Sequence, residues 1–159
     1  MEDVEDDDIK KCVSVRRAAM DFLARREHSR TELSLKLLRR FSHDSELIES
    51  EIETLNREGL QSDLRLAEAF IQSRANKGQG SLKIRAELRG KGVSDFDIEI
   101  AFAHCDINWF EQVALVAARR FGDEPPENAK ERAKRNRFLQ QRGFSFDEIG
   151  TLDEIGTLN

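Results

Sequence analysis

An all-α fold, three tandem three-helix units of helix-turn-helix type forming an elongated, curved body, is predicted by three features of this 159-residue sequence. Apolar residues recur at helical spacing along almost the whole chain, and strand-like alternation is nearly absent. Short turns with Gly, Ser, Asn or Asp break the apolar runs, and only two prolines occur. The pattern also repeats at a period near 50 residues, as expected of units that gain stability by packing on their neighbours.

Taken in order, the first helix is expected over 13–26, behind an acidic arm at 1–12. Residues 1–8, MEDVEDDD, hold six acids and no base. Such a run reads as a solvated, disordered arm, with folding back onto a basic body as the alternative. The second helix, 29–41, opens at Ser29 with Glu32 three positions on, the spacing of a capping box. A third over 44–58 completes the first unit, 13–62. Helices over 63–77, 81–91 and 94–105 make the second unit, 63–107, with Ser94 and Asp97 as a looser start signal. The third unit, 108–149, holds helices over 108–121 and 127–142, separated by Pro125-Pro126, and a weak last helix from about Ser145. The tail at 150–159 is expected to be weakly ordered, because DEIGTLDEIGTLN repeats a six-residue unit and carries two glycines.

The repeat is read position by position. A shift of 48 lays Ala19, Phe22, Leu23 and Arg26 onto Ala67, Phe70, Ile71 and Arg74. A shift of 51 pairs Leu33 and Leu37 with Ile84 and Leu88, and carries Leu88, Gly92 and Ile98 to Leu139, Gly143 and Ile149. Ile84 maps to Arg135, so the third unit must pack differently there. Most of the ten phenylalanines fall at core spacing, and Trp109-Phe110 at a helix start reads as packing.

Enzyme chemistry has little support. His28, His43 and His104 are scattered, Cys12 and Cys105 form no CxxC pair, and GQG at 78–80 is a lone GxG with no strand before it. No catalytic residue, metal ligand or cofactor is assigned. No apolar run approaches the roughly 20 residues of a bilayer span, and MEDVEDDD is the wrong start for a secretory signal. A cytoplasmic protein is expected.

Charge is the informative property. The chain has a formal net charge of −5, yet the segment 1–8 and the tail from Asp147 hold ten of its 31 acids and none of its 26 bases. Between them stand 26 bases against 21 acids, so the body is basic. The stretch RANKGQGSLKIRAELRGKG, 74–92, has six bases and one acid. The candidate binding residues are Arg25, Arg26, Arg30, Arg74, Lys77, Lys83, Arg85, Arg89, Lys91 and Arg132. Gly78 and Gly80, just before a helix, would present backbone amides to an anion, and neighbouring guanidinium groups suit a phosphate backbone or an acidic protein surface. Solubilising charge on exposed faces is the alternative.

Several stretches then resemble a known family. FLARREHSRTELSLKLLRR (22–40) resembles the first-unit signature of the RecX regulatory proteins, which modulate the bacterial recombinase RecA. Residues 58–93 are similar to the family's most characteristic segment, with Gly80, Ile84, Glu87, Leu88, Lys91 and Gly92 meeting its G-x-x-x-I-x-x-E-L-x-x-K-G pattern. KERAKRNRFLQQRGFSFDEI (130–149) matches the closing portion, while Leu66 departs from the pattern by standing where an aromatic is usual. A monomer is expected, and the resemblance implies a protein lying in the groove of the RecA filament on single-stranded DNA. It implies restraint of filament growth, ATP hydrolysis, strand exchange and stimulated repressor cleavage, with the RecA filament as partner and the basic faces meeting its acidic surface, single-stranded DNA phosphates, or both. It secures no residue-level contact. The competing class is a direct DNA-binding protein of tandem helix-turn-helix units.

Overall fold

The computed structural model describes residues 2–156, and among them nine α-helices and no strand occur. They are α1 Glu2–Arg25, α2 Arg30–Arg40, α3 Ser45–Arg57, α4 Asp63–Asn76, α5 Ser81–Gly90, α6 Asp95–His104, α7 Trp109–Phe121, α8 Ala129–Arg142 and α9 Phe146–Gly156. The eight helices that follow α1 begin within about two residues of their expected positions.

α1 departs from expectation at its start. The acidic arm expected to be disordered is helical from Glu2, and residue 1 lies outside the described residues. Two causes are visible. Carboxylates in the opening turns complement the positive end of the helix dipole. Lys10 and Lys11 also pair one turn back with Asp6 (2.6 Å) and Asp7 (3.6 Å).

α9 is likewise firmer than expected. Ser145 and Glu148 close a reciprocal capping box: Glu148 N–H donates to Ser145 Oγ at 3.2 Å and Ser145 N–H to Glu148 Oε2 at 2.9 Å. Ile149 is buried and Leu152 packs on the third core, so the tail is helical through Gly156. Residues 157–159 of that expectation lie outside the described residues.

Each unit has its own core. Val15, Ala19, Leu33, Leu37, Ile48, Ile52 and Leu55 are buried in the first. Leu66, Ala67, Ile71, Ile84, Leu88 and Ile98 fill the second, and Val113, Val116, Leu139, Phe144 and Ile149 the third. The more extensive helix pairings all fall inside units, α4 with α6 foremost. Arg135 stands where Ile84 stands one unit earlier. Its guanidinium lies over the Phe121 ring at 5.1 Å, pairs with Glu131 at 3.2 Å and donates to the Glu124 carbonyl at 2.9 Å. A cavity of about 500 Å³ opens beside it, between α7, α8 and Leu152. Phe96, Phe110 and Phe146 are exposed, unlike the other phenylalanines, and Trp109 packs against both the second and the third core.

The units are joined by one device used twice. At the junction of units 2 and 3, the last carbonyls of α8 meet the first amides of α5. Gly80 N–H donates to the Arg142 carbonyl at 2.8 Å and Leu82 N–H to the Gly143 carbonyl at 3.0 Å. A Cβ at Gly80 would collide with the Gly143 backbone, and one at Gly143 with Lys83, so only glycine permits this approach. Subtracting 51 gives the equivalent positions Ser29, Thr31, Lys91 and Gly92. There Ser29 Oγ donates to the Lys91 carbonyl at 2.6 Å, and a Cβ on Gly92 would meet Thr31. The second helices therefore dock C-terminus to N-terminus, α8 on α5 and α5 on α2. Each joint satisfies groups that helix ends leave orphaned.

Candidate functional site

The 1–2 junction is built from buried polar groups. Ser29 caps α2 by accepting from Glu32 N–H at 3.0 Å while it donates to Lys91, so one hydroxyl serves cap and joint together. The Glu32 carboxylate does not return to Ser29, as a full capping box would have it. It binds Lys91 of the next unit and Arg26, the latter at 2.9 Å. Gln61, fully buried, donates to the His28 carbonyl at 3.1 Å and to Asp63 at 2.9 Å, and Asp63 accepts from Arg30 N–H at 2.8 Å. Burial pushes the His28 imidazole below its ordinary pKa. Burial alone would push the Glu32 carboxyl up, but the hydrogen bonds from Lys91 and Arg26 outweigh it and hold it below the usual range.

The ten basic candidates separate into two groups. Seven are ion-paired: Arg26 with Glu32, Arg30 with Glu53 (2.7 Å), Arg74 with Glu87 (3.7 Å), Arg85 with Glu99, Arg89 with Asp95 (2.8 Å), Lys91 with Glu32 and Arg132 with Asp153 (3.3 Å). Arg74 and Lys91 also lie over Phe70, at 4.8 and 5.2 Å, and Arg85 over Phe102 at 4.0 Å. These side chains tie helices or units together. Arg25, Lys77 and Lys83 are exposed and, among the described residues, make no ion pair.

One expectation is overturned. The Gly78–Gly80 turn does not offer free amides to an anion, because Gly80 and Leu82 N–H are both spent on α8. The glycines serve unit packing.

Three arginines that the sequence reading passed over gather beside Lys77. Lys77, Arg119, Arg120 and Arg142 line a cleft of about 220 Å³ at the 2–3 junction, beside Asn76 and Phe138. Arg119 and Arg120 sit in the last turn of α7 and Arg142 in the last turn of α8. Cations at helix C-termini are a legible dipole signal. That three helix ends meet at one place is not.

Fold and surface together define the class: a tandem helical-repeat protein whose accessible chemistry is a charged surface. Among the described residues there is no group of three or more His, Cys, Asp or Glu placed to hold a metal, and no helix long and apolar enough to cross a membrane. Residues 62–101 match the family description "RecX, second three-helix domain" and residues 106–151 match "RecX, third three-helix domain". The chain belongs to the RecX family of regulatory proteins. It is 46% identical over 140 residues to the regulatory protein RecX of Pseudomonas fluorescens and to that of Pseudomonas syringae pv. tomato, covering 88% of this chain and 90% of each relative. RecX of Ectopseudomonas mendocina is also 46% identical, with 88% and 93% covered. The crystal structure of RecX from Lactobacillus salivarius shares the fold with a TM-score of 0.79 at 24% identity, over 95% of this chain and 99% of that one. A second RecX regulatory protein structure gives 0.74 at 21% identity, over 90% and 73%. The family carries a regulatory name, and a regulatory role is the coarse function of this chain.

Proposed function

We propose that this protein binds the RecA–single-stranded DNA filament and restrains its growth, ATP hydrolysis, strand exchange and stimulated repressor cleavage. The observation that carries the reading is family membership over 88% of the chain at 46% identity. The geometry suits it: units joined in series can follow a long partner, and the exposed cations Arg25, Lys77 and Lys83 suit acidic protein or DNA phosphate. The paired cations Arg26, Arg30, Arg74, Arg85, Arg89, Lys91 and Arg132 hold the scaffold that carries them. The protein acts as a monomer in the cytoplasm, where the filament forms, and needs no cofactor.

The test is the single-stranded-DNA-dependent ATPase of RecA titrated with this protein. Inhibition well below one molecule per RecA protomer is expected. Absence of inhibition at excess would sink the reading and favour direct duplex binding by the helix-turn-helix-like units. Arg25→Glu with Lys83→Glu is expected to weaken inhibition while the helical circular dichroism stays unchanged, because neither side chain holds an ion pair among the described residues.

A further inference from the structure

The cleft at the 2–3 junction collects four cations from three elements. Lys77 follows α4, Arg119 and Arg120 end α7, and Arg142 ends α8. Among the described residues no carboxylate lines it. In this respect it differs from the rest of the basic surface, where most candidate cations already hold an acid.

Cations at helix C-termini are ordinarily explained by the negative end of the dipole. The dipole does not account for the meeting of three such ends, and at α8 the carbonyls of Arg142 and Gly143 already accept from Gly80 and Leu82 N–H. Two of the guanidinium groups are held in place without being neutralised. Arg120 lies 5.5 Å from both the Phe121 and the Phe138 ring centroids, and Arg142 lies 5.2 Å from that of Phe138. An aromatic face restrains an arginine and leaves its charge and its outward N–H groups available. Lys77 and Arg119 are exposed and make no ion pair among the described residues. The result is a small pre-organised pocket of positive charge with a partly buried aromatic wall.

We propose that this cleft is a phosphodiester-binding site for single-stranded nucleic acid, with Lys77 and Arg119 contacting phosphate and Arg120 and Arg142, backed by Phe138, forming its stacking wall. Two features favour nucleic acid over an acidic protein segment. Guanidinium planes backed by the Phe138 ring accept a stacked base on their outer sides, a contact that an acidic side chain does not make. Convergent N–H donors in a narrow cleft also suit the several oxygens of one phosphate. The inference deepens the filament reading, in which single-stranded DNA lies within reach of the bound protein.

The test is fluorescence anisotropy of a labelled oligo(dT) with the full chain, without RecA, across a salt series. Lys77→Glu with Arg119→Glu is compared with Arg17→Glu with Arg39→Glu, an equal change of charge at exposed positions in unit 1 that hold no ion pair among the described residues. The cleft variant is expected to bind at least about tenfold more weakly, with the log–log salt slope shallower by about 1.4, two contacts at about 0.7 each. The unit 1 variant is expected to change affinity by less than about threefold, since distant charges are screened. Equal losses in the two variants would overturn the site in favour of diffuse charge. If the wild type fails to bind oligo(dT) while Lys77→Glu with Arg119→Glu abolishes inhibition of the RecA ATPase, the cleft takes acidic protein and the phosphate assignment falls. Cleft-dependent oligo(dT) binding without any ATPase inhibition would uphold the site and sink the filament reading. Should charge reversal unfold the chain, the Gln versions of both pairs carry the same comparison.

Discussion

His28 is fixed by its neighbours in one tautomer. Its Nδ1–H donates to the Arg26 carbonyl at 3.0 Å, and Nε2 accepts from Lys36 Nζ at 2.9 Å. With the folded value below the ordinary 6.5, the unfolded chain binds more protons between the two, so stability falls as pH drops through that window. Glu32 acts in the same direction lower down: its contribution is complete above 4.5 and is lost as pH falls through its depressed folded value. Thermal unfolding followed by circular dichroism is expected to show a midpoint that declines below pH 6.5 and again below 4.5. His28→Gln is expected to remove the upper decline, and an unaltered profile would show that His28 does not titrate with folding. Ser29→Ala removes a cap and a joint together, so its cost, read from urea unfolding, is expected to reach about 2 kcal/mol, the upper end for a lost cap. The sequence spacing announced Ser29 and Glu32 as a cap, and the Ser29 half holds. The destination of the Glu32 carboxylate, 59 residues away at Lys91, had no local signal.

At the scale of elements, the joints govern what each helix can do. α5 begins in the α8 backbone, so Gly80→Ala is expected to cost about 1–3 kcal/mol by overpacking. Gly143→Ala brings a collision with Lys83 at the same joint and in addition a φ of 101° that a Cβ disfavours. Both are measured by chemical denaturation, and a cost below about 0.5 kcal/mol for Gly80→Ala would show that the junction yields easily. Reversing Arg85 and Arg89 would be a poor probe of binding. It would set new carboxylates against Glu99 and Asp95 and strain the α5–α6 pairing. Helix positions were legible because amphipathic spacing and caps are local properties. The opposite roles of Lys83, free on the surface, and Arg85, paired two residues on, were not, because pairing depends on a helix 14 residues away in sequence.

In the whole molecule, three small cores behave as one body only if their joints hold. Trp109, the sole tryptophan, packs against the second and third cores and therefore reports on the joint between them. In the wild type, tryptophan emission and circular dichroism are expected to give coincident denaturation curves, as a cooperative unit requires. In Gly80→Ala the tryptophan transition is expected at lower denaturant than the dichroism. Coincident curves in the variant would show that the units are coupled by something other than the α8–α5 dock. The same joint shapes the cationic cleft, so its disruption is expected to weaken oligo(dT) binding as well, although Lys77 and Arg119 remain in place.

The sequence by itself determined the all-α class, the three units, the family and the basic character of the body, since periodicity, repeat spacing, motif and charge need no third dimension. It also announced the misfit at Arg135. Only the tertiary structure decided which cations are spent and which are available, why Gly80, Gly92 and Gly143 recur, and where the ends of α4, α7 and α8 converge. The physical reason is range. Helix formation depends on neighbours within a turn or two, whereas an ion pair or a backbone-to-backbone dock depends on how units meet. That meeting converts the glycines of an apparent anion loop into a joint, and three separate helix ends into a single cleft.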